Sequence, residues 1–313
     1  MKAALLFALI LGAAAPAFAQ EAPQPANRFA ATIAPAERFE VKGMLVERHG
    51  SGAKPLVLIP GLATGGWVWQ ETVRELANGH TIYVVTLPGF DGRPVPAGDA
   101  AAENRFMTAK ATLAELISSR RLAKPVLIGH SIGATLSIAL AEDLPDTLGG
   151  VVAIDGLPVF PRTEDMPAAQ RPAMGEAVRK QMAAAVGPAF AAQQRQYMRT
   201  MGVVDMGKAD DIAKLTARSD PLAVADYAGA VMALDLRADL PKIRVPVLVL
   251  APSFGPDEAL TGMSGSEKVA YYRELMTGTP KLDVKLIDNA RHFAMIDQPR
   301  AVNDALRQFL NNL

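Results

Sequence analysis

The chain contains no cysteine and only four histidines among its 313 residues. The first absence removes disulfides, thiolate nucleophiles and thiolate metal sites from consideration. The second leaves few side chains able to exchange a proton near neutral pH, so each histidine has to be placed. An excess of one charge is also missing: Lys plus Arg and Asp plus Glu number 32 each. With no basic block in addition, nucleic acid is not an expected partner. The apolar stretch from Ala3 to Ala15 is too short to span a bilayer as a helix and no later segment approaches the ~18 uninterrupted apolar residues that would, so stable membrane insertion is not expected. No residue cluster has metal-ligand spacing, and neither a phosphate-cradling loop nor a dinucleotide fingerprint is evident, so no metal and no cofactor is expected. What the chain does have is apolar bulk, with 50% hydrophobic and 20% charged residues. A single large core needs no covalent staple at that size.

Lys2, the apolar stretch Ala3 to Ala15 and the small-x-small triplet Ala17-Phe18-Ala19 follow the order of a secretory signal peptide. Residues 1–19 are therefore expected to be removed before Gln20, leaving a periplasmic or secreted protein. Residues 20–35, rich in alanine and proline, read as a flexible arm. Residues 36–313 read as one domain. Phe39 to Arg48 and Pro55 to Ile59 are predicted strands around the turn His49-Gly50-Ser51-Gly52. Apolar runs then alternate with helical patterns at Thr81 to Thr86, Pro125 to Gly129, Val151 to Ile154, Val245 to Leu250 and Leu282 to Ile287. That alternation predicts an α/β fold with a mostly parallel central sheet and helices on both faces. The rhythm breaks after Ile154, where residues 158–219 read as a helical cap. Six of the thirteen methionines fall there: Met166, Met174, Met182, Met198, Met201 and Met206. Methionine adapts to varied apolar shapes, so the cap could face an apolar ligand or simply pack on the body.

The most informative residues are Gly129-His130-Ser131-Ile132-Gly133, with the apolar run Pro125 to Ile128 before them and a helical run from Ala134 after. A strand turning sharply into a helix strains its middle residue and needs small neighbours two positions either side. Ser131 is thus the candidate nucleophile. A serine hydroxyl needs a base to take its proton as it attacks. His130 is fixed in the elbow itself, His49 sits in the expected hairpin turn and His80 directly precedes a strand. His292 remains, on a loop after the last strand and before a helix introduced by Asp297-Gln298-Pro299.

Together with Ile59-Pro60-Gly61-Leu62, Leu87-Pro88-Gly89-Phe90 and Arg291-His292-Phe293, the elbow resembles that of the α/β-hydrolase superfamily, and the likeness spans nearly the whole mature sequence. The resemblance implies that histidine comes last in chain order and that the oxyanion donors are the backbone N-H groups of Leu62 and Ile132. Many relatives carry His-Gly where this chain has Pro60-Gly61, a change that leaves the backbone donor in place. Relatives usually place the acid two positions before Asp257, where this chain has Gly255. Two acids stay open. Asp257 could swing inward, or Asp155 could serve from the end of the strand Val151 to Ile154, as in dehalogenase-like relatives. Asp220 reads better as a helix cap before Pro221, and Asp297 as a loop or cap residue. Trp67 and Trp69 read as core packing. The expected activity is hydrolysis of small-molecule carboxylic esters with an apolar acyl or alcohol part, through an acyl-enzyme on Ser131. Lactones, thioesters and carbon–carbon bonds are alternatives on the same machinery. A non-catalytic binding protein on the scaffold is the alternative from another class, suggested by the missing acid at Gly255.

Overall fold

The computed structural model describes residues 27–29, 33–96 and 104–313, and the signal-peptide reading of residues 1–19 lies outside them. Of the arm, Asn27 to Phe29 lie against the body: Asn27 Nδ2 donates to Asp211 O at 2.7 Å, and Gln70 Nε2 donates to Phe29 O at 3.0 Å.

The strands are β1 (Glu37–Val41), β2 (Met44–His49), β3 (Lys54–Ile59), β4 (His80–Thr86), β5 (Val126–His130), β6 (Gly150–Ile154), β7 (Val247–Ser253) and β8 (Leu282–Asp288). They form one sheet in the order β1-β2-β4-β3-β5-β6-β7-β8, in which β2 runs antiparallel to its neighbours and the pairs from β4 to β8 are parallel. The residues of β5, β6 and β7 are all buried, which is why they read as unbroken apolar runs rather than alternating ones.

The segment Phe39 to Arg48, expected as one strand, is instead the hairpin β1–β2. Lys42 and Gly43 both take positive φ, 44° and 79°, the requirement of a two-residue turn that matches strand twist. Its second strand pairs with β4 rather than β3, so the turn at His49-Gly50-Ser51-Gly52 does not close a hairpin.

The helices are α1 (Gln70–Leu76), α2 (Arg105–Ser119), α3 (Ile132–Asp143), α4 (Arg171–Ala183), α5 (Pro188–Tyr197), α6 (Met206–Thr216), α7 (Pro221–Ala233), α8 (Gly255–Thr261), α9 (Gly265–Leu275), α10 (Ala294–Asp297) and α11 (Pro299–Asn311). Alternate side chains of each central strand enter opposite cores. Val57 and Ile59 join Leu113 of α2, Leu136 of α3 and Tyr272 of α9. Leu56 and Leu58 join Val73 of α1, Trp69 and the buried stripe Val302, Leu306 and Leu310 of α11, a spacing that keeps one helix face on the sheet. Burying a leucine or isoleucine stabilises the fold by about 1.5–3 kcal/mol. The sheet is therefore a rigid base for whatever its strand ends carry.

Helices α4 to α7 lie between β6 and β7. The insertion closes where Leu236 N-H donates to Pro158 O at 2.9 Å and Val159 bridges Asp235, so its helical part runs on past residue 219 to Ala233. Asp220 caps α7 by accepting from the N-H groups of Leu222 and Ala223, with Pro221 in the first turn. Between α5 and α6, Met198–Gly202 forms a π-helical turn, a form met often at functional sites. Met198 is buried beneath it, whereas Met174, Met201 and Met206 are exposed.

Candidate active site

Strand β5 ends at His130 and α3 begins at Ile132, which leaves Ser131 alone at the corner with φ 53° and ψ −122°. A non-glycine residue holds that geometry only where its surroundings impose it, at a cost of about 1–3 kcal/mol. Here its N-H donates to Ile154 O at 2.9 Å, while its carbonyl accepts from Ala134 and Thr135. The two elbow glycines are required by space. A Cβ on Gly129 would lie 2.1 Å from Gly133 O, and one on Gly133 would lie 2.3 Å from Ile59 O.

Ile132 opens α3 directly after the serine, where the first helical N-H groups have no intrahelical acceptor. Across the corner, Thr64 N-H and Oγ1 both return to Gly61 O, at 3.2 and 2.8 Å, shaping the turn that presents Leu62. A Cβ on Gly61 would come within 2.6 Å of His130 Nδ1 and 3.2 Å of Ser131 Cβ, so this turn is packed onto the elbow. Gly61, just before Leu62, thus lies against Ser131 on one side, and Ile132 follows the serine on the other.

His292 follows β8 and precedes α10. Its Nδ1 lies 2.6 Å from Asp155 Oδ2, a short charge-assisted contact. Asp155 is the first residue after β6 and takes φ 45°, with its N-H on Leu250 O at 3.0 Å. Burial alone would raise its carboxyl. The Lys268 ammonium, the bond to His292 and the Tyr272 hydroxyl outweigh burial and hold it well below the usual carboxylate range. Asp155 is thus an anion aimed at the imidazole. Asp257 is elsewhere: both its oxygens take the Arg291 guanidinium, at 2.7 Å each. Of the two acids left open by the sequence, the fold brings Asp155 to His292.

Among the described residues the Ser131 hydroxyl has no hydrogen bond to His292. In free enzymes this contact is often open and tightens when substrate binds. His130 links the two residues. It is fully buried, its Nε2 donates to His292 O at 2.9 Å, and its ring centroid lies 4.5 Å from that of His292. Burial and the neighbouring His292 push its basicity well below the ordinary histidine range, so the ring stays neutral. His80 begins β4 at the far end of the sheet and His49 is buried at the end of the antiparallel β2.

Arg291 belongs to the motif Arg291-His292-Phe293, but nothing in the sequence assigns it a role of its own. Besides Asp257, its Nη1 donates to Arg199 O at 3.0 Å and Val203 O at 3.3 Å. The N-H groups of His292 and Phe293 donate to Met201 O and Gly202 O at 3.2 and 2.9 Å. Asp297 accepts from the N-H groups of both Arg291 and Val204, so it ties the histidine loop to the insertion. These bonds seat the π-helical turn over the carboxyl ends of the strands. Tyr197, at the end of α5, places its ring edge-on to His292 at 6.1 Å. Among the described residues no group of three or more His, Asp or Glu side chains could hold a metal ion, and no helix is long and apolar enough to cross a membrane.

The family model described as the alpha/beta hydrolase family matches residues 56–305. The chain belongs to the α/β-hydrolase family. It is 30% identical over 122 residues to a pimeloyl-[acyl-carrier protein] methyl ester esterase of Aeromonas hydrophila, a match covering 39% of this chain and 45% of that one. The chain thus spans less than half the length of that curated relative. Among solved hydrolase structures it resembles a thermophilic esterase from Thermogutta terrifontis, with TM-score 0.67 and 23% identity over 88% of this chain and 99% of the other. It also resembles MenH from S. aureus, with TM-score 0.69 and 15% identity over 85% of this chain and 98% of the other. At these identities the two structures speak for the fold alone.

Proposed function

We propose that this α/β-hydrolase is an exported carboxylic ester hydrolase that works through an acyl-enzyme on Ser131. The observation that carries the reading is the 2.6 Å contact of His292 Nδ1 with Asp155 Oδ2, beside a serine held at φ 53°. Ser131 Oγ attacks the ester carbonyl carbon while His292 Nε2 takes its proton. Asp155 holds the ring and stabilises the imidazolium. The N-H groups of Leu62 and Ile132 receive the charge that develops on the carbonyl oxygen, each donor worth about 2.7–4 kcal/mol of barrier. His292 then gives its proton to the departing alcohol oxygen as the carbon–oxygen bond breaks. A water molecule, deprotonated by His292, attacks the acyl carbon, and the acid leaves as Ser131 regains its proton.

The substrate is a small-molecule ester with an apolar acyl or alcohol part. The Tyr197 ring beside His292 and the exposed Met201 on the adjoining turn support that choice, as does the resemblance to esterases. Export rests on the order of charge, apolar run and Ala-x-Ala in residues 1–19.

The test is hydrolysis of p-nitrophenyl esters of graded chain length, with labelling by a fluorophosphonate probe and Ser131→Ala beside the wild type. Turnover and labelling that both vanish in the variant support the proposal. A folded wild type that neither labels nor hydrolyses any ester overturns it, and turnover indifferent to chain length overturns the apolar substrate.

A further inference from the structure

Helix α9 approaches the acid from the side opposite His292. Ser264 and Glu267 form a reciprocal capping box at its start, which fixes where the helix begins. Lys268 and Tyr272, one turn apart, then point the same way. The Tyr272 hydroxyl donates to Asp155 Oδ1 at 2.5 Å, on the oxygen that His292 does not use. Lys268 Nζ lies 3.8 Å from the same oxygen and donates to Pro252 O at 2.7 Å, anchoring the cation to the end of β7. Tyr272 is 5% exposed. Its ring also sits beneath the ammonium, at 5.3 Å.

Resting on the triad reading above, we propose that Tyr272 and Lys268 are positioning residues that hold Asp155 as an aligned anion and limit how strongly it draws the His292 proton. A carboxylate with one oxygen committed and the other bare is free to rotate about its side chain and is a stronger acceptor for its one partner. Tyr272 removes the rotation, and Lys268 supplies a counter-charge. The groups facing Asp155 are then His292 from the β8–α10 loop, Lys268 and Tyr272 from α9, His130 from β5 and Tyr197 from α5. Lys268 is the basic side chain among them whose ammonium faces the oxygen that Tyr272 also uses. The placement suits an acid just after β6, because the cation that balances it is tied to the end of β7, the strand after which Gly255 opens α8 in place of an acid.

Two measurements on Tyr272→Phe, Lys268→Gln and Lys268→Arg test this. The first is the pH profile of kcat/KM on a p-nitrophenyl ester. Tyr272→Phe and Lys268→Gln are expected to move its acid limb upward by about half a unit or more, because Asp155 then favours the imidazolium more strongly. In Tyr272→Phe, kcat is expected to fall about tenfold with KM little changed. Lys268→Arg restores the wild-type limb. The second is the low-field proton resonance of the His292–Asp155 bond, which needs no turnover. It is expected to move downfield in Tyr272→Phe and Lys268→Gln and to return in Lys268→Arg. Folded variants whose resonance and acid limb both match the wild type overturn the proposal. A wild type without esterase activity whose resonance still moves in the variants overturns the ester reading and leaves the role of α9 standing.

Discussion

Ser131 and Asp155 stand side by side at the carboxyl ends of adjacent strands, one residue beyond the paired His130 and Ile154, and both have positive φ, 53° and 45°. Strain at both residues is sustained by the packing around them. Ser131→Gly removes the hydroxyl and the strain together, whereas Ser131→Ala removes only the hydroxyl. Both variants are expected to lose about 10⁴–10⁶ in turnover, and Ser131→Gly is expected to be more stable than Ser131→Ala by about 1 kcal/mol. Urea unfolding of the pair, with equal m-values, checks the difference; a less stable glycine variant counts against strain at the elbow.

The two candidate acids have different work in the fold, and mutation separates them. Asp155→Asn is expected to cost about 10⁴ in kcat, because it takes the anion from the imidazole. Asp257→Asn leaves that contact intact and weakens a partly exposed pair with Arg291, so a loss of tenfold or less is expected. Steady-state kinetics on one ester checks both, and a reversal of the order would reassign the acid.

Arg291 joins α8, the π-helical turn and the histidine loop through one guanidinium. Lysine offers a point charge without the planar fork, so Arg291→Lys is not a conservative change here. Both Arg291→Lys and Arg291→Ala are expected to lower kcat by about 10–100-fold through a small displacement of the base. Fluorophosphonate labelling should slow in proportion; labelling at the wild-type rate would show that the loop keeps its place unaided.

Glu142, near the end of α3, is buried, and among the described residues its Oε1 has no hydrogen-bond partner. Burial raises its carboxyl from 4.5 to about 8, with Asp239 and Asp143 adding to the rise against Lys110 and Lys242. The unfolded chain releases this proton near 4.5 and the folded one near 8, so between those values the folded state binds more protons and stability falls as pH rises. Glu142→Gln is expected to flatten that decline and to raise Tm most at pH 8 and least at pH 5. Thermal unfolding across this range checks the sign.

The central sheet was legible because strands buried on both faces carry continuous apolar runs, and the elbow was legible because close packing leaves glycine as the fit at 129 and 133. The β1–β2 hairpin was not, since Lys42-Gly43 lacks the Asn-Gly or Asp-Gly signal and the flanking residues run on as one pattern. Ser131 and His292 were legible as candidates from the elbow and from the scarcity of histidine, while which of Asp155 and Asp257 lies on His292 is visible only in the fold. Tyr272 and Lys268 had no local signal beyond a one-turn spacing, and Arg291 none beyond its place before His292, because their partners lie on other elements.

The π-helical turn at Met198–Gly202 gives two of its carbonyls to the amides of His292 and Phe293. Lifting that turn from the strand ends would break both bonds and free the backbone that carries His292. The place of the imidazole therefore depends on where the insertion sits, and a shift in one reaches the other through two amides.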